Sequence, residues 1–209
     1  MSRIALGIIG LGAMGTEMLR VACEHADHDV RIAADPDPGA RLRAASAHPG
    51  VTVVADAAEL FDEGLDAIYI ATPPRLHADL ATRALDAGMA VFCEKPLAID
   101  LADGERMVAA AQHGPATGLN FALSDRAAVL EVERAIRAGE LGEVVSVEIR
   151  LAFPQWPREF QQDATWLAHG RGRIPARGLL ALRLCHRQAC RRAHARVVIG
   201  HATGRRRWQ

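Results

Sequence analysis

Lys95 is chemically unusual in the segment VFCEKPLAI (residues 91–99), because it is the single lysine among the 25 Lys and Arg residues of the chain. An amine can lose its proton when burial or neighbouring charge lowers its pKa, whereas a guanidinium effectively never does. An exposed surface charge does not require lysine in place of arginine. The alternative explanation is that the single lysine occurs at this position by chance. The pattern favours Lys95 as a group that exchanges a proton with a ligand.

Glycines with the spacing G-x-G-x-x-G occur in the segment GIIGLGAMG (residues 7–15), directly after a predicted strand. The first allows a tight turn, the second lets backbone approach a pyrophosphate, and the third permits close packing of helix on strand. The helix N-terminus then faces the phosphates. Glycines that only turn the chain are the weaker alternative, because strand, helix and a downstream acid occur together. The candidate contacts in this loop are Gly10, Gly12, Ala13, Met14 and Gly15.

Asp35 ends the second predicted strand, 25 residues after Gly10. A carboxylate at this place can accept hydrogen bonds from an adenosine ribose. It also repels a 2′-phosphate, which favours NAD over NADP, although Arg41 and Arg43 could compensate for that repulsion. We therefore expect NAD as the cofactor, with NADP as the alternative.

Apolar runs alternate with helix-like segments from residue 4 to about residue 121. The runs are nearly continuous, which is typical of parallel strands buried on both faces. Helices are predicted at 75–88 and at 100–114, the second with Asp100 as its N-cap. The pattern predicts a doubly wound, Rossmann-type α/β fold with a parallel sheet. The predicted strands are residues 4–9, 30–34, 51–54, 67–71, 89–93 and 116–121.

A different pattern begins after Asn120. Residues 124–142 are predicted to form a helix with Ser124 as N-cap and Gly139 as terminator. Residues 143–153 alternate apolar and polar side chains, as in a half-exposed strand. We therefore expect a dinucleotide-binding domain at 1–121, followed at 122–170 by the start of a substrate and dimerisation domain, an incomplete α/β domain with an open sheet.

Four motifs together resemble the Gfo/Idh/MocA oxidoreductases, the glucose–fructose oxidoreductase and inositol dehydrogenase family. They are GIIGLGAMG, ATPPRLH (71–77), EKPL (94–97) and the segment that begins at LNFALSD (119–125), and the resemblance covers about residues 1–163. It implies an NAD(P)-dependent dehydrogenase or reductase that transfers hydride between nicotinamide and a hydroxyl-bearing carbon of a sugar, cyclitol or related substrate.

The resemblance also implies roles for individual residues. Thr72, Pro73 and His77 correspond to a loop that lines the cofactor, whereas Pro74 stands where Asn is common. Glu94 and Lys95 belong to the Glu-Lys-Pro motif, with Lys95 as the catalytic residue at the substrate hydroxyl and nicotinamide edge. Asn120 matches an Asn at the end of the sixth strand. Without the resemblance, Glu94 could form a structural ion pair and His77 could lie on a helix surface.

Composition limits the other classes of function. No run of 18 or more apolar residues occurs and no secretory leader is visible, so we expect a cytoplasmic protein without a membrane partner. The four cysteines have no disulfide-framework spacing and are expected to be reduced. We expect no metal: a site from Cys185, His186, Cys190 and His194 is the alternative, but its C-x4-C spacing lacks a matching second pair.

The last part of the chain has a different charge. Residues 1–163 carry 14 basic and 25 acidic residues, a net charge of −11, whereas residues 164–209 carry 11 arginines and no Asp or Glu. Residues 171–209 also lack the glycine-to-histidine motif of the family. We expect a poorly ordered, aberrant tail produced by truncation or a frameshift after about residue 170, and consequently weak or absent catalysis.

Two functions remain open from the sequence. The first is the oxidoreductase, with a small-molecule sugar or polyol as substrate and homo-oligomers in its intact relatives. The second is a non-catalytic dinucleotide-binding protein whose basic tail binds nucleic acid or an acidic partner. Nucleic acid is the less favoured partner, because such arms usually mix Lys with Arg and carry more aromatic residues.

Overall fold

The computed structural model describes residues 2–112, 114–122, 124 and 126–142, together with the backbone of two strands at 147–150 and 196–199. The chain divides into two compact units, with residues up to Asn120 in the first and Phe121 beginning the second. Each unit is described separately. The predicted assignments of 122–170 and 171–209 stay predictions.

Six strands and four α-helices alternate along the first unit, as the sequence predicts. The strand bounds agree with the predicted runs to within two residues, because continuous apolar runs mark strands buried on both faces. The elements are β1 (Ile4–Ile9), α1 (Ala13–Glu24), β2 (His28–Ala34), α2 (Pro38–Ala47), β3 (Thr52–Val54), β4 (Ala67–Ile70), α3 (His77–Asp86), β5 (Ala90–Glu94), α4 (Leu101–Ala111) and β6 (Thr117–Asn120), with short 3₁₀ turns at Ala57–Asp62 and Pro74–Leu76.

All neighbouring strands of this sheet are parallel, in the order β3-β2-β1-β4-β5-β6. The chain builds outward from β1 to β3 and then crosses to the other side of β1 with β4. In open α/β sheets a ligand binds outside the carboxyl ends of the strands at such a reversal. The doubly wound Rossmann-type sheet is confirmed, and its reversal lies between β1 and β4.

Helices cover both faces of the sheet, and each face has its own apolar cluster. Ile8 and Tyr69 pack with Leu19 of α1 and Ala44 of α2 on one face. Neighbouring strand residues point the other way, because successive side chains of a strand alternate between faces. That second cluster includes Ile9, Ile70 and Cys93 from the strands, Ala81 and Leu85 from α3, and Met107 from α4.

Asp100 caps α4 as predicted, since its carboxylate accepts a hydrogen bond from the Asp103 N–H at 2.8 Å. The predicted helix at 75–88 starts within a 3₁₀ turn, Pro74–Leu76, and is α-helical only from His77 to Asp86. Proline is tolerated at the first position of such a turn, where its missing N–H is not needed. Gly88, with φ +83°, follows its end.

The second unit contains α5 (Ala127–Arg137), followed by Gly139 with φ +72°. The prediction of Ser124 as its N-cap is wrong: the cap residue is Arg126, which makes no side-chain capping bond. The Ser124 N–H instead donates to the Phe121 carbonyl at 2.7 Å in a preceding turn, so the helix begins later.

Two short strands complete the description of this unit. Strand β7 (Val147–Arg150) lies within the predicted strand at 143–153 and pairs antiparallel with β8 (Arg196–Ile199). Strand β8 belongs to the tail that we expected to be poorly ordered, and the rest of that tail lies outside the described residues. In the described parts of the chain, no helix has both the length and the apolar character needed to cross a membrane.

Candidate active site

The sequence-predicted site residues converge on the carboxyl edge of the six-stranded sheet. Gly10 follows β1, Asp35 follows β2, and Thr72 lies two residues after the end of β4. Glu94 is the last residue of β5 and Asn120 is the last residue of β6. Parallel strands bring these positions to one edge, so residues far apart in the sequence share one surface.

The glycines of the first loop have three different environments. Gly10 has φ +95°, and a Cβ there would lie 2.7 Å from the Ala71 carbonyl oxygen. A Cβ at Gly15 would overlap the Gly10 carbonyl oxygen, so close packing fixes both positions. A Cβ at Gly12 would meet nothing within 4 Å. Gly12 therefore borders open space that a ligand can occupy.

Helix α1 begins beside this open space. Its cap residue Gly12 offers no side-chain oxygen, and the first turn of this helix contains no acidic residue. Gly12, Ala13 and Met14 are exposed, so solvent reaches the start of the helix. Unpaired backbone N–H groups and the positive end of the helix dipole are available there for an anion.

Asp35 is half-buried and connects the ends of the first two strands. One carboxylate oxygen accepts a hydrogen bond from the Leu11 N–H at 2.7 Å, and the other accepts one from the Asp37 N–H at 2.8 Å. Each oxygen keeps a second lone pair for a ligand hydroxyl. The carboxylate is therefore held in one orientation beside the glycine loop.

The two arginines that could favour NADP differ in availability. The Arg41 guanidinium donates to the carbonyl oxygens of Asp35 and Pro36, both at 2.8 Å, so the fold already uses it. The Arg43 side chain is exposed, and its Nη2 lies 3.9 Å from an Asp37 carboxylate oxygen. Of the pair, only Arg43 can turn towards a 2′-phosphate without breaking a backbone contact.

Glu94 is a buried carboxylate, with only 5% of its surface exposed. Its Oε1 accepts a hydrogen bond from the Tyr69 hydroxyl at 2.6 Å and another from the Asn120 amide at 2.7 Å. Glu94 thus joins β4, β5 and β6. Burial, followed by this hydrogen bond, raises the pKa of the Tyr69 phenol above its ordinary value, so the tyrosine stays a donor.

Tyr69 is a site residue that the sequence did not identify. It lies in the apolar segment AIYIA (67–71), where an aromatic side chain is an ordinary core residue. The only available signal was a hydroxyl inside an otherwise apolar strand, because a buried phenol usually needs a hydrogen-bond partner. Its partner Glu94 is 25 residues away in the sequence.

Lys95 lies beside this network but projects into solvent. Its side chain is 59% exposed, and its Nζ lies 3.9 Å from Glu94 Oε2, an ion pair longer than a hydrogen bond. The structural ion pair that we considered for Glu94 is therefore loose, and the close partners of the carboxylate are Tyr69 and Asn120. The Lys95–Pro96 peptide bond is cis. The amine is accessible to a ligand at the sheet edge.

His77 is 0% exposed, so the alternative of a helix-surface histidine is wrong. Its Nε2 lies 2.9 Å from the Thr72 carbonyl oxygen and its Nδ1 lies 3.0 Å from the Pro96 carbonyl oxygen. The ring has no exposed surface through which it could contact a cofactor directly. Thr72 and Pro73, by contrast, are half-buried residues of the loop itself.

The described cysteines are unsuited to nucleophilic chemistry. Cys23 and Cys93 are both free thiols. Burial, together with the Glu94 charge, raises the pKa of the Cys93 thiol to about 12, so it stays protonated near neutral pH. Within the described ranges, no group of three or more His, Cys, Asp or Glu side chains could hold a metal ion. The tail residues Cys185 and Cys190 lie outside those ranges.

Comparison with known proteins gives a family match for most of the first unit. Residues 4–118 match a family described as an oxidoreductase family with an NAD-binding Rossmann fold. The chain is 36% identical over 153 residues to inositol 2-dehydrogenase 1 of Saccharopolyspora erythraea, covering 69% of this chain and 44% of that protein. It is 32% identical over 158 residues to D-xylose 1-dehydrogenase (NADP(+)) 2 of Haloferax volcanii, covering 70% of this chain and 46% of that protein.

A solved structure shows the same likeness. The WlbA dehydrogenase from Bordetella pertussis, in complex with NADH and UDP-GlcNAcA, is 27% identical and superposes with a TM-score of 0.69. The match covers 79% of this chain and 50% of that one. The chain spans less than half the length of the two curated relatives above.

Proposed function

The chain belongs to the Gfo/Idh/MocA oxidoreductase family, with an NAD-binding Rossmann fold in its first unit, and we propose that it binds NAD at the carboxyl edge of this sheet. We propose further that Lys95 accepts the hydroxyl proton of a sugar, cyclitol or related polyol during oxidation and returns it during reduction. The observation that carries the proposal is that Gly12, Asp35 and Lys95 follow β1, β2 and β5 at one edge of the sheet, on both sides of the reversal between β1 and β4.

Three features of the first loop fit a dinucleotide. Open space beyond Gly12 leaves room for a pyrophosphate against the backbone. The uncapped start of α1 offers N–H groups and a partial positive charge to the phosphates. The fixed Asp35 carboxylate keeps acceptor capacity for the ribose hydroxyls.

The same contacts favour NAD over NADP. A 2′-phosphate placed where the ribose hydroxyl binds would meet the Asp35 charge, which is held in place by two backbone N–H groups. Arg41 donates to the backbone carbonyls of Asp35 and Pro36, and Arg43 is exposed. Of the two arginines, only Arg43 is therefore available to pair with the 2′-phosphate of NADP.

Lys95 supplies the acid–base group of the proposed reaction. A bound NAD would supply the acceptor for the hydride of the hydroxyl-bearing carbon. A neutral Lys95 amine would take the proton from that hydroxyl, and the ammonium would return it in the reverse direction. Glu94 lies below the amine with its Oε2 at 3.9 Å from Nζ, and Tyr69 and Asn120 hold the other oxygen of that carboxylate. The buried carboxylate thus gives the ammonium a fixed counter-charge.

The substrate class rests on the relatives and on the type of acid–base group. The two curated relatives are named for inositol and D-xylose, which are polyhydroxylated compounds. An exposed amine at the sheet edge is accessible to a hydroxyl of such a molecule.

Titration of the full chain with NADH, followed by fluorescence or calorimetry, tests the site. Gly12→Val should abolish binding, because the new side chain occupies the space left for the pyrophosphate. Gly50→Val is the matched control, since a Cβ at Gly50 also meets nothing within 4 Å and neither glycine has positive φ. Equal NADH affinity in the two variants would refute the site.

Catalysis is tested separately with a panel of inositols, pentoses and hexoses in the presence of NAD. We expect turnover to be weak or absent, because residues 171–209 lack the glycine-to-histidine motif of the family. Lys95→Arg should remove any turnover that is present while NADH binding persists, because a guanidinium cannot accept the proton. Turnover at rates typical of ordinary enzymes, roughly 1–1,000 per second, would contradict the expectation.

A further inference from the structure

His77 is a completely buried histidine with two polar contacts and no solvent-exposed surface. It is the first residue of α3. The contacts of its ring nitrogens go to two different loops. One is the Thr72 loop, which follows β4, and the other is the Lys95–Pro96 loop, which follows β5.

Both atoms that face the ring nitrogens are backbone carbonyl oxygens, at 2.9 Å and 3.0 Å. Both carbonyls lie within hydrogen-bonding distance of the ring, and a neutral imidazole donates to one of them through its single N–H. The Thr72 carbonyl is 5 residues before His77 in the chain, and the Pro96 carbonyl is 19 residues after it. The His77 imidazole therefore lies between two loops that are far apart in the sequence and contacts the backbone of both.

We propose that His77 is a positioning residue, which sets the separation of the Thr72 loop and the Lys95–Pro96 loop without touching cofactor or substrate. The contact on the second loop is with the carbonyl of Pro96, the residue next to Lys95, so the buried ring lies against the backbone from which the amine projects. Reactions of bound groups are sensitive to displacements of about 1 Å, which gives such a tie a functional consequence.

The functional consequence rests on the proposed function, because it requires that Lys95 and the Thr72 loop contact the bound nicotinamide. The tie itself does not depend on it. Two measurements on the full chain separate these parts: one reports the conformation at Lys95 without cofactor, and the other reports the affinity for NADH.

The single lysine provides the first measurement. A full chain labelled with ¹⁵N-lysine gives one backbone amide signal in a heteronuclear NMR spectrum, and that signal belongs to Lys95. His77→Phe keeps an aromatic ring of similar size but removes both polar contacts. We expect the Lys95 signal to shift or to split into several signals, because the Pro96 carbonyl is no longer held.

Leu85→Ala is the matched control, because Leu85 is a buried residue of the same helix that packs in the apolar cluster. It destabilises α3 and should leave the Lys95 signal in its original position. Should His77→Phe not fold, His77→Gln takes its place, because its one amide nitrogen cannot occupy the positions of both ring nitrogens. An unchanged Lys95 signal in the folded variant overturns the proposal, as does an equal change in Leu85→Ala.

The second measurement is the NADH titration. We expect the affinity of the His77 variant to fall roughly tenfold, the effect of losing one or two hydrogen bonds, while Leu85→Ala at the same temperature retains the original affinity. Equal losses in both variants would assign His77 a merely structural role and overturn the proposal. If the original chain binds no NADH, the proposed function fails, and the Lys95 signal alone decides whether the tie exists.

Discussion

Asp35 shows how much of the site one carboxylate can organise. Its two oxygens accept hydrogen bonds from the Leu11 and Asp37 N–H groups, so the same side chain shapes the glycine loop and fixes a carboxylate beside the proposed ribose position. The position of an acid at the end of β2 could be predicted from its spacing after the glycines. Its hydrogen bond to Leu11 could not, because that bond spans 24 residues and depends on β1 and β2 being neighbours.

Asp35→Asn should weaken NADH binding roughly tenfold and reduce the preference for NADH over NADPH. An amide has one acceptor oxygen, so one of the two backbone N–H groups loses its partner, and the repulsion of a 2′-phosphate disappears. Parallel titrations with both cofactors measure the effect. Asp29→Asn is the control, because Asp29 lies near the opposite end of β2 and pairs with Arg31. Wild-type affinity for both cofactors in Asp35→Asn would contradict the assignment.

The Cys93 thiol predicts a pH dependence of stability. Burial and the Glu94 charge raise its pKa from the ordinary 9.0 to about 12 in the folded chain. Because the folded-state pKa is the higher one, the stabilising contribution is fully present below about pH 9 and is lost as the pH rises towards 12. The unfolded thiol ionises first, which favours unfolding in that window.

Cys93→Ala should therefore reduce the loss of unfolding free energy between about pH 9 and about pH 11. Urea unfolding of both chains across this window provides the measurement. Cys23→Ala is the comparison, because Cys23 is only partly buried, although burial raises the pKa of its thiol too. Parallel pH profiles for wild type and Cys93→Ala would show that the thiol does not contribute.

At the scale of elements, the ends of β4, β5 and β6 are connected through Glu94. The Tyr69 hydroxyl and the Asn120 amide donate to the same oxygen of Glu94 from the strands on either side. These bonds restrict the movement of the Glu94 side chain, which directly precedes Lys95. This network could not be predicted from the sequence because it depends on strand order. Tyr69 and Asn120 lie 25 and 26 residues from Glu94 and contact it only because β5 lies between β4 and β6.

Tyr69→Phe should lower the free energy of unfolding by about 1.5–3 kcal/mol, because it removes a hydrogen bond to a charged acceptor and keeps the ring. In the Glu94→Gln background the same substitution should cost about half as much, since a neutral acceptor forms a weaker bond. Urea unfolding of the four chains completes a double-mutant cycle. Equal costs in the two backgrounds would mean that the phenol and the carboxylate do not interact energetically.

Helix starts show the limit of local patterns at this scale. Asp100 could be recognised as a cap because its side chain is short, polar and followed by a helix of the expected length. Ser124 carries the same signal, yet its N–H closes a turn onto the Phe121 carbonyl and α5 begins only at Ala127. Whether a residue caps a helix thus depends on where the preceding turn ends as well as on the residue type.

At the scale of the whole molecule, the two units raise different questions. The first has a complete six-stranded sheet and matches its family over residues 4–118. The second is described by α5 and the pair of strands β7 and β8. The curated relatives are more than twice as long as the part that this chain matches, so activity and substrate are properties to be tested on the chain itself.

The basic tail provides the test between the two functions considered from the sequence. A chain that ends at Ile199 keeps β8 and lacks the arginines at 205–207. We expect it to bind NADH as the full chain does, and we expect neither chain to bind DNA or RNA in a salt-dependent manner. Salt-sensitive binding by the full chain, whether kept or lost in the shorter chain, would support the non-catalytic, nucleic-acid-binding alternative, because the shorter chain retains eight of the eleven arginines of residues 164–209.

The sequence by itself determined the order of elements, the parallel sheet and the edge at which the site residues meet. It could do so because buried strands, glycine turns and strand-end acids are local patterns, and parallel strands bring successive ends together. Only the tertiary structure decided what those residues contact: His77 is buried between two loops, Glu94 receives Tyr69 and Asn120, and Arg41 holds backbone carbonyls. Glu94 and Asn120 meet across neighbouring strands, and the His77 ring reaches a carbonyl beyond β5, so these contacts depend on how the chain crosses the sheet and not on the residue types alone.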